Sequence, residues 1–186
     1  MDVIVTPVND APVLEEIGYQ EMLEDTELTL SIIAEDVDGD SLIFDATSGS
    51  PLNLSVSVTG NELIMIPADD FNGEVTISVS VTDGEYYDNT SFILNVLPVN
   101  DAPTIELPES FTFDEDGSLA EDFSDYLNDI DEDALTLTVS GNDSITVDIN
   151  DFVVTFASAQ DWNGTETLTF TVNEIRTGQL HQTLWM

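Results

Sequence analysis

The chain has 186 residues, of which 39 are Asp or Glu and only one is Lys or Arg, giving a formal net charge of -38 at pH 7. That balance excludes nucleic acid and anionic membrane surfaces as direct partners, since both require a basic patch. The absence of cysteine excludes disulfides and thiolate metal sites, and the absence of lysine excludes isopeptide staples and Schiff-base chemistry. Hydrophobic residues nevertheless make up 41% of the chain, enough for packed cores. The length suits two domains of roughly 90 residues each.

In chain order, Asp2-Val3-Ile4-Val5-Thr6-Pro7 comes first, and it aligns with the stretch ending at Pro98. Residues 1–7 are therefore expected to be the last strand of an upstream repeat. Val8-Asn9-Asp10-Ala11-Pro12 then returns as Val99-Asn100-Asp101-Ala102-Pro103, an offset of 91 (101 − 10). The same offset carries Glu24-Asp25 onto Glu115-Asp116 and Asp70-Phe71-Asn72-Gly73 onto Asp161-Trp162-Asn163-Gly164. Asp36-Val37-Asp38 matches Asp129-Ile130-Asp131 at 93 (129 − 36), so two residues are inserted and later removed. Several blocks in the same order define an internal duplication, repeat 1 over residues 8–98 and repeat 2 over 99–186.

Within each repeat the runs alternate with period two, as in Val75-Thr76-Ile77-Ser78-Val79-Ser80-Val81, Leu135-Thr136-Leu137-Thr138-Val139 and Leu168-Thr169-Phe170-Thr171-Val172. Thr and Ser fill one face and β-branched or aromatic residues the other, the signature of half-buried strands. Turn signals such as Asp38-Gly39, Asn72-Gly73, Asp83-Gly84 and Asn163-Gly164 punctuate them. The fold class expected is all-β, two tandem Greek-key sandwiches. One stretch dissents: Leu119, Phe123, Tyr126 and Leu127 have helical spacing, which predicts a short helical turn in repeat 2. The tail 174–186 is atypical, because Asn173-Glu174-Ile175-Arg176 replaces Thr82-Asp83-Gly84-Glu85. Leu180, Leu184 and Trp185 could still build a closing strand there.

The carboxylates concentrate between strands, in Glu35-Asp36-Val37-Asp38-Gly39-Asp40, Asp69-Asp70, Asn100-Asp101 and Asp129-Ile130-Asp131-Glu132-Asp133. Alternate side chains of an extended backbone point the same way, so Asp-x-Asp aims two carboxylates at one place. Two such charges about 4.5 Å apart repel by about 4 kcal/mol at an effective dielectric of ~20. With lysine absent and a single arginine, the chain cannot offset them itself. A hard divalent ion can, and calcium, with six to eight oxygen ligands in flexible geometry, suits a loop-built cage better than magnesium does. Zinc and copper lack their usual His and Cys ligands.

The order Glu24, Asp36-Val37-Asp38-Gly39-Asp40, Asp69-Asp70, Thr82-Asp83-Gly84, Val99-Asn100-Asp101-Ala102-Pro103 resembles a tandem bacterial cadherin-like, immunoglobulin-like repeat. The resemblance implies calcium bound between consecutive sandwiches. Carried over by position, it assigns the junction between the repeats to Glu24, Asp69, Asp70, Asn100, Asp101, Asp129 and Asp131, with Asp133 as a further ligand. The junction upstream takes Asn9, Asp10, Asp36, Asp38 and Asp83. The function implied is a calcium-rigidified spacer or adhesion module of a secreted or bacterial cell-surface protein, with neighbouring repeats, and homophilic or glycan partners, as its contacts.

Alternatives stand beside this. The acidity could be a solvated, self-repelling surface, and Asp38-Gly39 and Asp83-Gly84 are ordinary turn formers. Phe71 and Trp162, at equivalent positions, read as core anchors. Tyr86-Tyr87 lies in a loop and is the candidate for a carbohydrate-binding accessory module. Paired acids suggest glycoside hydrolysis in principle, but they recur in both repeats rather than as one asymmetric pair, and His181 has no triad partner, so no enzyme is expected. No run of 18 apolar residues and no leader at Met1-Asp2-Val3 is present, so direct membrane insertion is not expected.

Overall fold

A computed structural model describes residues 1–175. The chain divides into two compact units, Met1–Val99 and from Asn100 onward. The tail positions Arg176, Leu180, His181, Leu184 and Trp185 lie outside the described residues.

Unit 1 contains β1 (Val13–Leu14), β2 (Gln20–Leu23), β3 (Leu28–Ser31), β4 (Ala34–Glu35), β5 (Ile43–Ser48), β6 (Leu54–Thr59), β7 (Glu62–Pro67), β8 (Gly73–Thr82) and β9 (Tyr87–Leu97). One sheet has the order β2-β9-β8-β5, and the other β3-β7-β6. The chain changes sheet between β5 and β6 and again between β7 and β8, so consecutive strands cover the two faces of one core, as in an immunoglobulin-like sandwich. The period-two pattern decides which side is inside. On β8, Val75, Ile77, Val79 and Val81 are buried while Thr76 and Ser78 are exposed. They meet Leu54, Leu63 and Met65 from the facing sheet and Phe92, Leu94 and Val96 from β9. Burying each such side chain contributes roughly 1.5–3 kcal/mol. Phe71 packs against this core as expected.

Unit 2 contains β10 (Thr104–Ile105), β11 (Ser118–Asp122), one 3-10 turn (Ser124–Tyr126), β12 (Leu127–Asn128), β13 (Leu135–Ser140), β14 (Ile145–Asn150), β15 (Val153–Ser158) and β16 (Thr169–Glu174). Its sheets are β11-β15-β14 and the pair β13-β16. The helical spacing resolves into that three-residue 3-10 turn alone: Leu119 sits on β11 and Leu127 opens β12. The register explains why. Leu28 pairs with Met65 and Leu119 with Phe156, both shifted by 91, whereas Leu14 pairs with Ala34 and Ile105 with Leu127, a shift of 93 on the second partner. The two inserted residues are absorbed in the 3-10 turn. They are given back between β13, still shifted by 93 (Ala46 to Val139), and β14, shifted by 91 (Leu54 to Ile145).

The second core is smaller. Among the described residues, Phe123, Leu137, Val154 and Phe156 are fully buried, with Phe111, Phe113, Leu168 and Phe170 half-buried around them. Phe123 stacks on Phe111 at 5.5 Å between ring centres and lies 5.0 Å from Phe170. Trp162 is half-buried and borders a cavity of about 620 Å³ rather than closing the core. A Cβ at Gly164 would lie 3.1 Å from its ring, so any larger residue there would push the ring aside by a few tenths of an ångström.

Candidate metal centre

Each unit gathers its acids at strand ends. In unit 1, β8 runs from Gly73 to Thr82. Asp70 and Asn72 therefore precede one end and Asp83 follows the other, separated by the length of a ten-residue strand, roughly 30 Å.

At the Asp83 end, Asn9, Asp10, Asp36, Asp38 and Asp83 come together. The Asp10 N–H donates to Asp38 Oδ2 at 2.8 Å, and Asn9 Nδ2 to Asp83 Oδ2 at 3.0 Å. Asp36 Oδ1 accepts the N–H groups of Asp38 at 2.9 Å and Asp40 at 3.2 Å, which folds the Asp-Val-Asp-Gly-Asp loop around that carboxylate. Gly39 makes the turn at φ 78°. Asp83 Oδ1 accepts the N–H groups of Glu85 and Tyr86, both at 2.7 Å. These bonds, Tyr86 first, then Glu85, with Asn9 adding less, hold its carboxyl below the usual range. Asp83 thus serves as turn former and cluster member at once.

Unit 2 repeats three of these bonds. The Asp101 N–H donates to Asp131 Oδ2 at 2.7 Å, and Asp133 N–H to Asp129 Oδ1 at 3.0 Å. Asn100 Nδ2 donates to Glu174 Oε1 at 2.9 Å. Glu174 stands where unit 1 has Asp83 and takes over its acceptor role with a longer side chain. Glu132 adopts φ 58° at the position of Gly39.

One feature recurs in both and tests whether a cation fits. Asp36 Oδ2 and Asp129 Oδ2, at equivalent positions, are buried without a hydrogen-bond partner. A buried carboxylate oxygen left unpaired costs about 1–3 kcal/mol or more. The fault appears at equivalent positions of both repeats, and the side chains gathered around it offer oxygen ligands. A hard divalent ion supplies what is missing, so the residues fit one.

The opposite end of unit 1 is built on Glu24, 2% exposed and the one fully buried charged residue among those described. Its Oε1 accepts the Val99 N–H at 2.6 Å and its Oε2 the Asn72 Nδ2 at 3.4 Å, tying β2 to the segment after β9. Beside it Asp25 and Asp70 take left-handed backbone at φ 59° and 57°. Such conformations are uncommon outside glycine and concentrate at ligand sites. Their carboxylates each place an oxygen within 4.8 Å of the other. Asp69, next to them, is exposed. In unit 2, Asp116 and Asp161 repeat the pair at φ 59° and 57°, and the Asp161 N–H donates to Asp116 Oδ1 at 3.0 Å.

Asp25 and Asn72 were not among the residues singled out as ligands from the sequence, although both lie inside blocks that recur at the 91-residue offset. The recurrence was the available signal. Tyr86 and Tyr87 are exposed in the β8–β9 turn, 43% and 72%, where the Tyr86 carbonyl accepts the Thr82 hydroxyl at 2.6 Å.

A family model described as a bacterial Ig domain matches residues 9–93 and again 100–185. No curated protein matches the sequence. Among solved structures, human protocadherin-24 EC1-2 is similar at 16% identity and a TM-score of 0.54, over 89% of this chain and 93% of that one. Drosophila N-cadherin EC1-4 is 17% identical at a TM-score of 0.49, over 89% and 49% respectively. An endo-fucoidan hydrolase of glycoside hydrolase family 107 is 21% identical at a TM-score of 0.41, over 93% of this chain. The chain spans only 30% of that hydrolase's length. At these identities the likeness to protocadherin-24 shows a shared fold, a tandem of β-sandwiches.

Proposed function

Because the chain belongs to the bacterial Ig domain family, we propose that it is a calcium-stiffened tandem module of a secreted or cell-surface protein, a spacer or adhesion element rather than an enzyme. The observation that carries this reading is the pair of buried, unpartnered oxygens, Asp36 Oδ2 and Asp129 Oδ2, recurring at equivalent positions in a chain with 39 acids and one base. The ion between the repeats would be held by Glu24, Asp69 and Asp70 of repeat 1, by Asn100 and Asp101 of the linker, and by Asp129, Asp131 and Asp133 of repeat 2. Asp25 joins this set on the strength of its left-handed backbone and its closeness to Asp70. Asn9, Asp10, Asp36, Asp38 and Asp83 form the same half-site for an upstream neighbour.

When bound, calcium would supply the positive charge that lets these carboxylates face one point, and without it they would repel one another. The protein's own part is to pre-set the loops. Asp36 and Asp129 organise the Asp-x-Asp turns through backbone N–H groups, and Asp38 and Asp131 pin the entering segment. Extracellular calcium modules bind at about 10⁻⁴–10⁻³ M. Calorimetric titration tests the reading: wild type should take up calcium in that range, and Asp101→Ala and Asp131→Ala should each weaken it at least tenfold. Absence of binding heat in wild type, or identical isotherms in all three proteins, contradicts it. The exposed rings of Tyr86 and Tyr87 favour a second reading, glycan binding, which a glycan array checks.

A further inference from the structure

We infer that the edge strand β6 of repeat 1 is an interaction surface, and that its partner is the same strand of a second copy of this chain, paired antiparallel across a two-fold axis at Ser57. The inference goes beyond the calcium reading and does not depend on it. Strand β6 ends the sheet β3-β7-β6 and, among the described residues, pairs with β7 alone. Such an edge offers a row of backbone N–H and C=O groups, and proteins ordinarily guard it with charges or proline. This one is unguarded: between Asp45 and Glu62 no residue is charged, the longest such stretch of a chain whose net charge is -38. The other edges of the two large sheets of unit 1 are protected. Strand β2 carries Glu21, β5 carries Asp45, and the four-residue β3 starts beside Glu27.

Repeat 2 supplies the control. Its edge strand β14 takes the same place in β11-β15-β14, at the 91-residue offset. There Asp143, Asp148 and Asp151 stand exposed where β6 and its flanks have Leu52, Ser57 and Gly60. The same edge of the same fold is blunted by three carboxylates in one repeat and by none in the other. Leu52, at 91% exposure, is also the most exposed large hydrophobic residue after Met1 among those described.

Charge selects the occupant. A basic partner is drawn to the acids elsewhere on the chain, whereas an uncharged strand matches another uncharged strand, and through β6 two copies can meet without bringing carboxylates together. The ladder gives the register. The Asn53 carbonyl accepts the Ala68 N–H at 2.7 Å, so the odd-numbered residues of β6 bond β7, and Val56 and Val58 turn their N–H and C=O groups outward. Antiparallel pairing about Ser57 lets Val56 and Val58 of one copy exchange bonds with Val58 and Val56 of the other. Ser57 then faces its own counterpart at the ~4.5 Å Cα spacing of a non-hydrogen-bonded pair. An aspartate there, as at Asp148, sets two like charges directly opposite each other. Val56 and Val58 pack against the first core, so its apolar face continues from one copy into the next. The contact is isologous and closes at two copies.

Sedimentation equilibrium of the 186-residue chain in chelator tests this, so that failure here leaves the calcium reading standing. About 0.5 M NaCl screens the repulsion between the two acidic chains. Wild type should pass from monomer to dimer with rising concentration, and Ser57→Asp, which copies the residue repeat 2 already carries, should weaken the dimer at least tenfold. Ser78→Asp, the same change on an exposed serine of the mid-sheet strand β8, should leave it intact. Because the chain has no cysteine, a single introduced one reports the register: with oxidised glutathione, Ser57→Cys should form a disulfide-linked dimer and Ser78→Cys should not. A wild type that stays monomeric throughout overturns the inference. So does a dimer that Ser57→Asp and Ser78→Asp affect equally, or equal cross-linking of the two cysteine variants.

Discussion

Repeat 1 and repeat 2 share the main hydrogen bonds of their Asp-x-Asp loops and, among the described residues, differ most in how far their cores are buried. The Asn-Asp linker, the Asp-x-Asp loop and the left-handed aspartates coincide, even where Asp83 has become Glu174 and Gly39 has become Glu132. Among the described residues, thirteen hydrophobic residues are fully buried in the first cluster and four in the second. The contrast teaches that an acidic end is fixed by local backbone geometry, since a loop that wraps a carboxylate needs only its own few residues, while a core is assembled from strands far apart in the chain.

The largest effect that sharpens this contrast is in the cores. Leu63→Ala, at a residue with 0% exposure, should cost about 2–5 kcal/mol, since the packed site cannot collapse around the lost volume. Leu168→Ala, beside the open cavity of repeat 2, should cost less than half of that. Chemical denaturation of both variants checks the ranking, and equal losses would mean the second core is as closed as the first.

Calcium should act next. At ~100-fold excess over its dissociation constant, one site adds about 2.7 kcal/mol to folded stability. Asp36→Asn and Asp129→Asn should each remove one contribution, and each should leave the protein without calcium no less stable than wild type, because the orphaned oxygen is gone. Melting curves with calcium and with chelator separate the two effects.

Glu24→Gln removes the charge-assisted acceptor of the Val99 N–H in a buried place and should cost about 1–3 kcal/mol. Glu115→Gln, whose carboxylate is exposed, should be nearly silent. Matching losses would break the asymmetry between the two ends.

The smallest effect is the pH dependence that Glu166 gives repeat 2. The Ser144 N–H first, then those of Asp143 and Ile145, hold the Glu166 carboxyl below its usual range. A lowered folded-state value means the stabilisation is complete above the ordinary carboxylate range and is lost as pH falls through the lowered value. Glu166→Gln should flatten that part of the acid limb, followed by the fluorescence of Trp162.

Much of this was legible in the sequence. Period-two runs gave the sandwich faces directly, as on β8, and the resemblance to a cadherin-like repeat, not spacing alone, put Asn9, Asp10, Asp36, Asp38 and Asp83 in one group. Leu119 to Leu127 misled because apolar spacing cannot tell a strand followed by a 3-10 turn from a short helix. Asp25 was missed because a left-handed backbone leaves no mark when the residue is aspartate rather than glycine. Glu166 was invisible as a strand breaker because its partners, the N–H groups of Asp143 to Ile145, come from a loop shortened elsewhere in the chain.

The central claim is that a divalent ion locks the two repeats into one register, and small-angle scattering of the 186-residue chain with calcium and with chelator tests it most directly. The account predicts a longer, narrower distance distribution in calcium that Asp101→Ala abolishes. Superimposable profiles in the two buffers, with wild type monomeric in both, would contradict it.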